Sequence, residues 1–154
     1  EVITGVEWTT ILFFTGLFVV VGGLQETGII QVLANGLMDL TKGHMTMTIL
    51  LILWVSAIVS SFLDNIPFVA TLIPLILTMQ SSGVDVTPLW WAVSLGACLG
   101  GNGTLIGASA NVVLSGISTR HGFPITFASY LKVGFPMMLV SVAISTVFLL
   151  IRFG

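Results

Sequence analysis

The sequence predicts an all-α integral membrane protein, on three observations. Of 154 residues, 56% are hydrophobic and 6% are charged, against about 25% charged in a soluble domain. Mean hydropathy is +1.14. The few charges divide the chain into uncharged stretches, several near the roughly 20 apolar residues that carry a helix across a bilayer core. Such a chain cannot cover its own surface in water, which excludes a soluble enzyme, a nucleic-acid binder and a disordered tail. Net charge is −2 and no basic cluster is present, so no phosphate backbone is expected as a partner. The single cysteine, Cys98, excludes a disulfide framework and a multi-thiolate metal site, and reads as an inert buried thiol.

The elements follow in order. Residues 8–25 read as a plain spanning helix with Trp8 at its edge, where an interfacial aromatic belongs. In 28–42, polar Gln31, Asn35, Asp39 and Lys42 run beside an apolar stripe of Ile29, Leu33, Leu37 and Leu40. That pattern predicts an amphipathic helix lying in the interface. Gly36 weakens it and leaves a loop with helical content as the alternative. A single straight helix over residues 45–80 would be ~54 Å long, too long for one crossing. Asp64-Asn65-Ile66-Pro67 interrupts it, so the stretch is expected to be a helical hairpin, re-entrant or crossing, broken at 64–67. Residues 88–118 contain Gly100, Gly101 and Gly103, each about 1 kcal/mol worse than Ala in a helix. A discontinuous helix broken at 100–104 is expected. Residues 126–152 read as a second plain spanning helix closed by Arg152. Lys42 and Arg152 against Arg120 and Lys132 leave the membrane orientation undecided. The chain begins with Glu1 and is expected to be a fragment or a trimmed protein.

Chemistry concentrates at the two interruptions. Asp64 is the one carboxylate well inside a predicted membrane segment, and Ser56 and Ser60 share its helix face at spacings of four. A charge at the bilayer centre costs about 3 kcal/mol or more, so such a residue faces a cavity or a partner. Hard oxygen ligands suit Na⁺ or H⁺. The competing reading makes Asp64 and Asn65 the cap of the following helix, with Pro67 in its first turn. The run from Gly100 to Gly107 lacks the lysine and the preceding strand of a phosphate loop. A broken helix instead exposes N–H groups that favour anions and carbonyls that favour cations. Gly101 and Gly103 would open the backbone there, Asn102 and Thr104 would add side-chain oxygens, and Asn111, Ser115 and Ser118 would continue a polar stripe. Close helix packing through Gly96, Gly100, Gly103 and Gly107 is the competing reading. Bound Na⁺ at Asp64, Asn65 and Asn102 is the one metal the pattern suggests, and no other cofactor is expected. His44 and His121 are expected in solvent, Lys132 and Arg152 as interfacial anchors, and Ser141 and Ser145 as packing residues.

Two segments carry a resemblance. Ser61-Phe62-Leu63-Asp64-Asn65-Ile66-Pro67-Phe68-Val69, and residues 99–113 (LGGNGTLIGASANVV), resemble the ion transporter superfamily. The similarity is to its branch of arsenite efflux pumps, NhaD-type Na⁺/H⁺ antiporters and P-protein permeases, whose general label is the citrate-transporter-like domain. The flanks from Glu7 to Leu24 and from Gly122 to Pro136 agree. The resemblance implies the C-terminal one of two inverted repeats, a scaffold that holds a homodimer, and a mobile domain of hairpins and broken helices. It places Asp64 and Asn65 at a hairpin tip and residues 102–104 at a helix break, each lining half of a site. The missing N-terminal repeat would supply the other half.

The expectation is therefore half of a secondary active transporter in a prokaryotic inner membrane, multi-pass, working by alternating access. Na⁺/H⁺ antiport and export of arsenite or another small anion both remain open. A non-transporting scaffold or partner subunit is the rival. An intramembrane hydrolase would need a second carboxylate or a nucleophile with its base at membrane depth, and no enzyme is expected.

Overall fold

A computed structural model describes residues 8–41 and 43–154. Glu7 and Lys42, which figure in the sequence reading, lie outside the described residues. Every regular element among the described residues is helical: α1 (Trp8–Glu26), α2 (Ile29–Thr41), α3 (Met45–Ser60), α4 (Asn65–Ser81), α5 (Thr87–Gly100), α6 (Ser109–Arg120) and α7 (Phe127–Phe153). Turns with positive-φ glycines, Gly28 at 74° and Gly43 at 71°, reverse the chain between the first three helices.

Among the described residues one helix, α7, is long and apolar enough to cross a membrane by itself. Its 27 residues make it ~40 Å long. It starts on a capping box in which Thr126 and Ser129 satisfy each other's backbone N–H. The two arms of the hairpin, α3 and α4, have 16 and 17 residues, or ~24 and ~26 Å, short of a ~30 Å bilayer core.

The centre of the fold is α3 packed on α5, with α7 covering both and α2 and α1 lying over α4. Ile49, Leu53 and Ala57 of α3 meet Leu89, Ala92 and Val93 of α5 in one buried cluster with Met138, Val142 and Leu149 of α7. Glycine permits the approach of α5. A Cβ on Gly96 would lie 2.7 Å from the Ser56 Cβ, and one on Gly100 would lie 2.7 Å from the Ala57 Cα and overlap its carbonyl. These two residues form a small-xxx-small face that brings backbone against backbone. Trp54 Nε1 donates to Thr146 Oγ1 at 3.1 Å and ties α3 to α7. In contrast, α6 packs on no other described helix.

Three positions differ from the sequence reading. The hairpin interruption occupies residues 61–64 rather than 64–67, because Asp64 caps α4 and Pro67 enters its first turn, where a missing N–H costs nothing. The helix break covers 101–108 rather than 100–104: α5 keeps Gly100, and Ala108 is extended at φ −145° and ψ 136°. Cys98 is exposed rather than buried, because the buried face of α5 is the small-residue face at Ala92, Gly96, Ala97 and Gly100.

Candidate functional site

The turn after α3 and the unwound stretch after α5 meet. Ser60 and Ser61, both fully buried, end α3, and their carbonyl oxygens point at the 101–108 segment. The clearest measure is Gly107. A Cβ there would lie 2.7 Å from the Ser61 oxygen, 2.8 Å from the Gly101 oxygen and 3.1 Å from the Ser60 oxygen. Only a glycine lets the chain pass through this ring of carbonyls. Gly103 is held as closely, 2.9 Å from the Ser61 Cβ and 3.0 Å from the Met138 Cε by the same measure.

Hydrogen bonds close the junction. Thr104 is fully buried. Its hydroxyl donates to the Ser61 carbonyl and accepts the Gly107 N–H at 3.1 Å. Ser60 Oγ donates to the Ala97 carbonyl at 2.7 Å. From the first turn of α6, Asn111 Nδ2 donates to the Gly101 and Thr104 carbonyls at 3.0 and 3.2 Å. Ser61 and Gly107 therefore join the residues singled out by spacing, Gly103 among them, and α7 completes the wall through Met138 and Gly134. A Cβ on Gly134 would lie 2.8 Å from the Asn102 carbonyl oxygen.

The polar residues fall into two groups. One group is committed to the protein's own backbone: Ser60, Thr104 and the amide of Asn111. Ser56 is buried on the α3–α5 interface, beside the position a Gly96 side chain would fill. Ser115 and Ser118 do not continue a path from Asn111. They donate to the Ile125 and Phe123 carbonyls at 3.1 and 2.5 Å and fix the loop between α6 and α7.

The second group keeps oxygens in hand. Asp64 caps α4 by accepting the Ile66 N–H on Oδ1 at 3.2 Å, leaving its second oxygen. Asn65 opens α4 half-buried, at the polar end of an apolar groove of about 340 Å³ between α1 and α4 that Phe18, Val69 and Ile73 also line. The Asn102 side chain is exposed on the break. Among the described residues, no hydrogen bond joins the side chains of Asp64, Asn65 and Asn102 to one another. The structure brings together the two backbones that bear them, through Ser61 and Thr104. Sequence reasoning missed Ser61, which acts through its main chain, and assigned Gly107 to helix packing. Its position in the glycine run was the available signal.

Comparison with known proteins supplies the rest. The family profile described as citrate transporter matches residues 1–96. An uncharacterized transporter of Mycobacterium tuberculosis is 46% identical over 157 residues, 99% of this chain and 36% of that protein. The human P protein is 44% identical over 154 residues, 95% of this chain and 18% of that protein. A 46 kDa membrane protein of Mycobacterium leprae is 42% identical over 156 residues, 99% of this chain and 36% of its own length. The chain thus spans about a third of these mycobacterial relatives and about a fifth of the P protein. No solved structure matches.

Proposed function

The chain belongs to the citrate transporter family, a family of membrane transporters and not of enzymes, and from that premise we propose that it is the C-terminal half of a secondary active ion transporter. The transporter works by alternating access in a prokaryotic inner membrane, crosses the bilayer several times and assembles as a homodimer. Its other half-site comes from the N-terminal repeat. Na⁺/H⁺ antiport is the preferred activity. Asp64, Asn65 and Asn102 are the ligands of the transported Na⁺, with Asp64 also the group that exchanges a proton for it.

The observation that supports this reading most is the meeting of the 61–64 turn with the 101–108 break. The end of α3 turns main-chain carbonyls toward that junction, and helix C-terminal carbonyls favour cations. Asp64 supplies one carboxylate at the turn, and Asn65 and Asn102 supply amide oxygens that accept no hydrogen bond from another described residue. Pro67 sets the first turn of α4 and so fixes the direction in which Asp64 leaves it. Gly101, Gly103, Ser56, Ser60, Thr104 and Asn111 build the wall behind these ligands. Oxygen-only coordination of this kind suits a hard cation. Unwound backbone at membrane depth is stable only where it is buried in protein or lines a polar cavity.

The test uses everted vesicles carrying the full-length protein and follows the collapse of a respiration-generated ΔpH on adding Na⁺. Collapse with the wild type and none with Asp64→Asn, at equal protein in the membrane, is the expected result. Equal collapse with both removes Asp64 from the site. No response of the wild type to Na⁺ replaces antiport with export of a small anion such as arsenite, which the N–H groups at the start of α6 would favour.

A further inference from the structure

We propose that Thr104 is a positioning residue: its buried hydroxyl clasps the hairpin turn to the helix break and thereby sets the affinity of an ion site that it does not touch. The transport half of the test below rests on the antiport reading, and the hydrogen-exchange half does not.

Three observations carry the proposal. Thr104 is fully buried, whereas Asn102, two residues before it, is exposed. Both functions of its hydroxyl are spent on backbone, the hydrogen on the Ser61 carbonyl across the junction and a lone pair on the Gly107 N–H within the break. Ser61 lies 43 residues from Thr104 in sequence, so the bond between them is not a by-product of local helix geometry. Ser61 precedes Asp64 by three residues and Thr104 follows Asn102 by two. The clasp therefore stands between the two short segments whose side chains keep free oxygens.

Chemistry separates this role from that of a ligand or a filler. Serine retains both bonds of the clasp and loses only a methyl group. Valine keeps the shape and loses both bonds, leaving the Ser61 oxygen without its donor in a dry place and the Gly107 N–H with only its 3.3 Å bond to the Thr104 carbonyl. A ligand role would make the hydroxyl contact the ion directly. A filler role would make valine the better replacement.

Full-length wild type, Thr104→Ser and Thr104→Val are compared in everted vesicles by the Na⁺ concentration that half-saturates ΔpH collapse and by the maximal rate. Thr104→Val is expected to raise the half-saturating Na⁺ about tenfold or more while the rate at saturating Na⁺ stays within about twofold, and Thr104→Ser to restore it. Unchanged half-saturation in Thr104→Val, or equal loss in both variants, overturns the proposal.

Where the wild type gives no Na⁺ response, antiport fails and the clasp is read by chemistry alone. Amide hydrogen exchange of the purified full-length protein is followed over residues 61–64 and 101–108 in the wild type, Thr104→Ser and Thr104→Val. Exchange in both segments is expected to be at least about tenfold faster in Thr104→Val than in the wild type and Thr104→Ser. Equal rates in all three, or equal acceleration in both variants, overturn the clasp.

Discussion

At the residue scale, two glycines do what no other residue type could. Gly107 passes through three carbonyl oxygens, and Gly103 rests against Ser61 and Met138. An added methyl at Gly107 overlaps oxygens of the main chain, which cannot rotate away. Gly107→Ala should therefore destabilise the fold by about 1–3 kcal/mol, the usual cost of overpacking a tight core. Thermal unfolding of the purified protein in detergent checks it, and an unshifted midpoint would refute the ring of carbonyls. Gly103→Leu should stop transport, because its larger side chain drives the break away from the turn. Vesicle assays at matched protein level decide that outcome. Neither glycine's partner was legible in the sequence. Spacing shows that small residues recur, and only the fold shows that Gly96 and Gly100 serve helix packing while Gly103 and Gly107 serve the turn.

Elements show the same division between local rules and distant neighbours. The start of α4 is a local matter: Asp64 caps it, and Pro67 is tolerated in its first turn. The start of α5 has a second acidic device. Asp85 Oδ1 accepts the Thr87 N–H at 3.0 Å, and this bond holds its carboxyl below the usual range. A depressed carboxyl contributes stability above its unfolded value of about 4, and that contribution is lost as pH falls through the lower folded value. Unfolding curves between pH 6 and 2 should therefore show a shallower acid limb for Asp85→Asn than for the wild type. Identical limbs would remove the role of the Asp85–Thr87 hydrogen bond. The polar stripes were harder to read. Periodicity places Ser56 and Ser60 on one face of α3 with Asp64, yet that face turns to α5, where Ser60 bonds the Ala97 carbonyl. Asn111, Ser115 and Ser118 share a face of α6, yet two of the three hold the following loop. Periodicity identifies a face and is silent about what the face meets.

For the whole molecule, the arrangement is one dense junction with open sides. The core joins α3, α5 and α7, while α6 carries exposed Val112, Val113, Leu114 and Ile117 and packs on no described helix. The relatives are about three times as long as the matched segment or more. Residues 1–154 expressed alone should reach the membrane and give no Na⁺-driven collapse of ΔpH, whereas the full-length protein should give it. Collapse driven by the segment alone would refute the need for a second half-site. By itself the sequence determined the fold class and marked two interruptions, at 64–67 and 100–104, which the structure has at 61–64 and 101–108. Those depend on hydropathy and on the backbone chemistry of glycine, proline and capping residues, which act within a few positions of themselves. Tertiary structure alone decided which polar groups stay free. A hydroxyl such as that of Thr104 bonds whichever carbonyl the fold brings near, here one 43 residues away, and no local pattern records that partner.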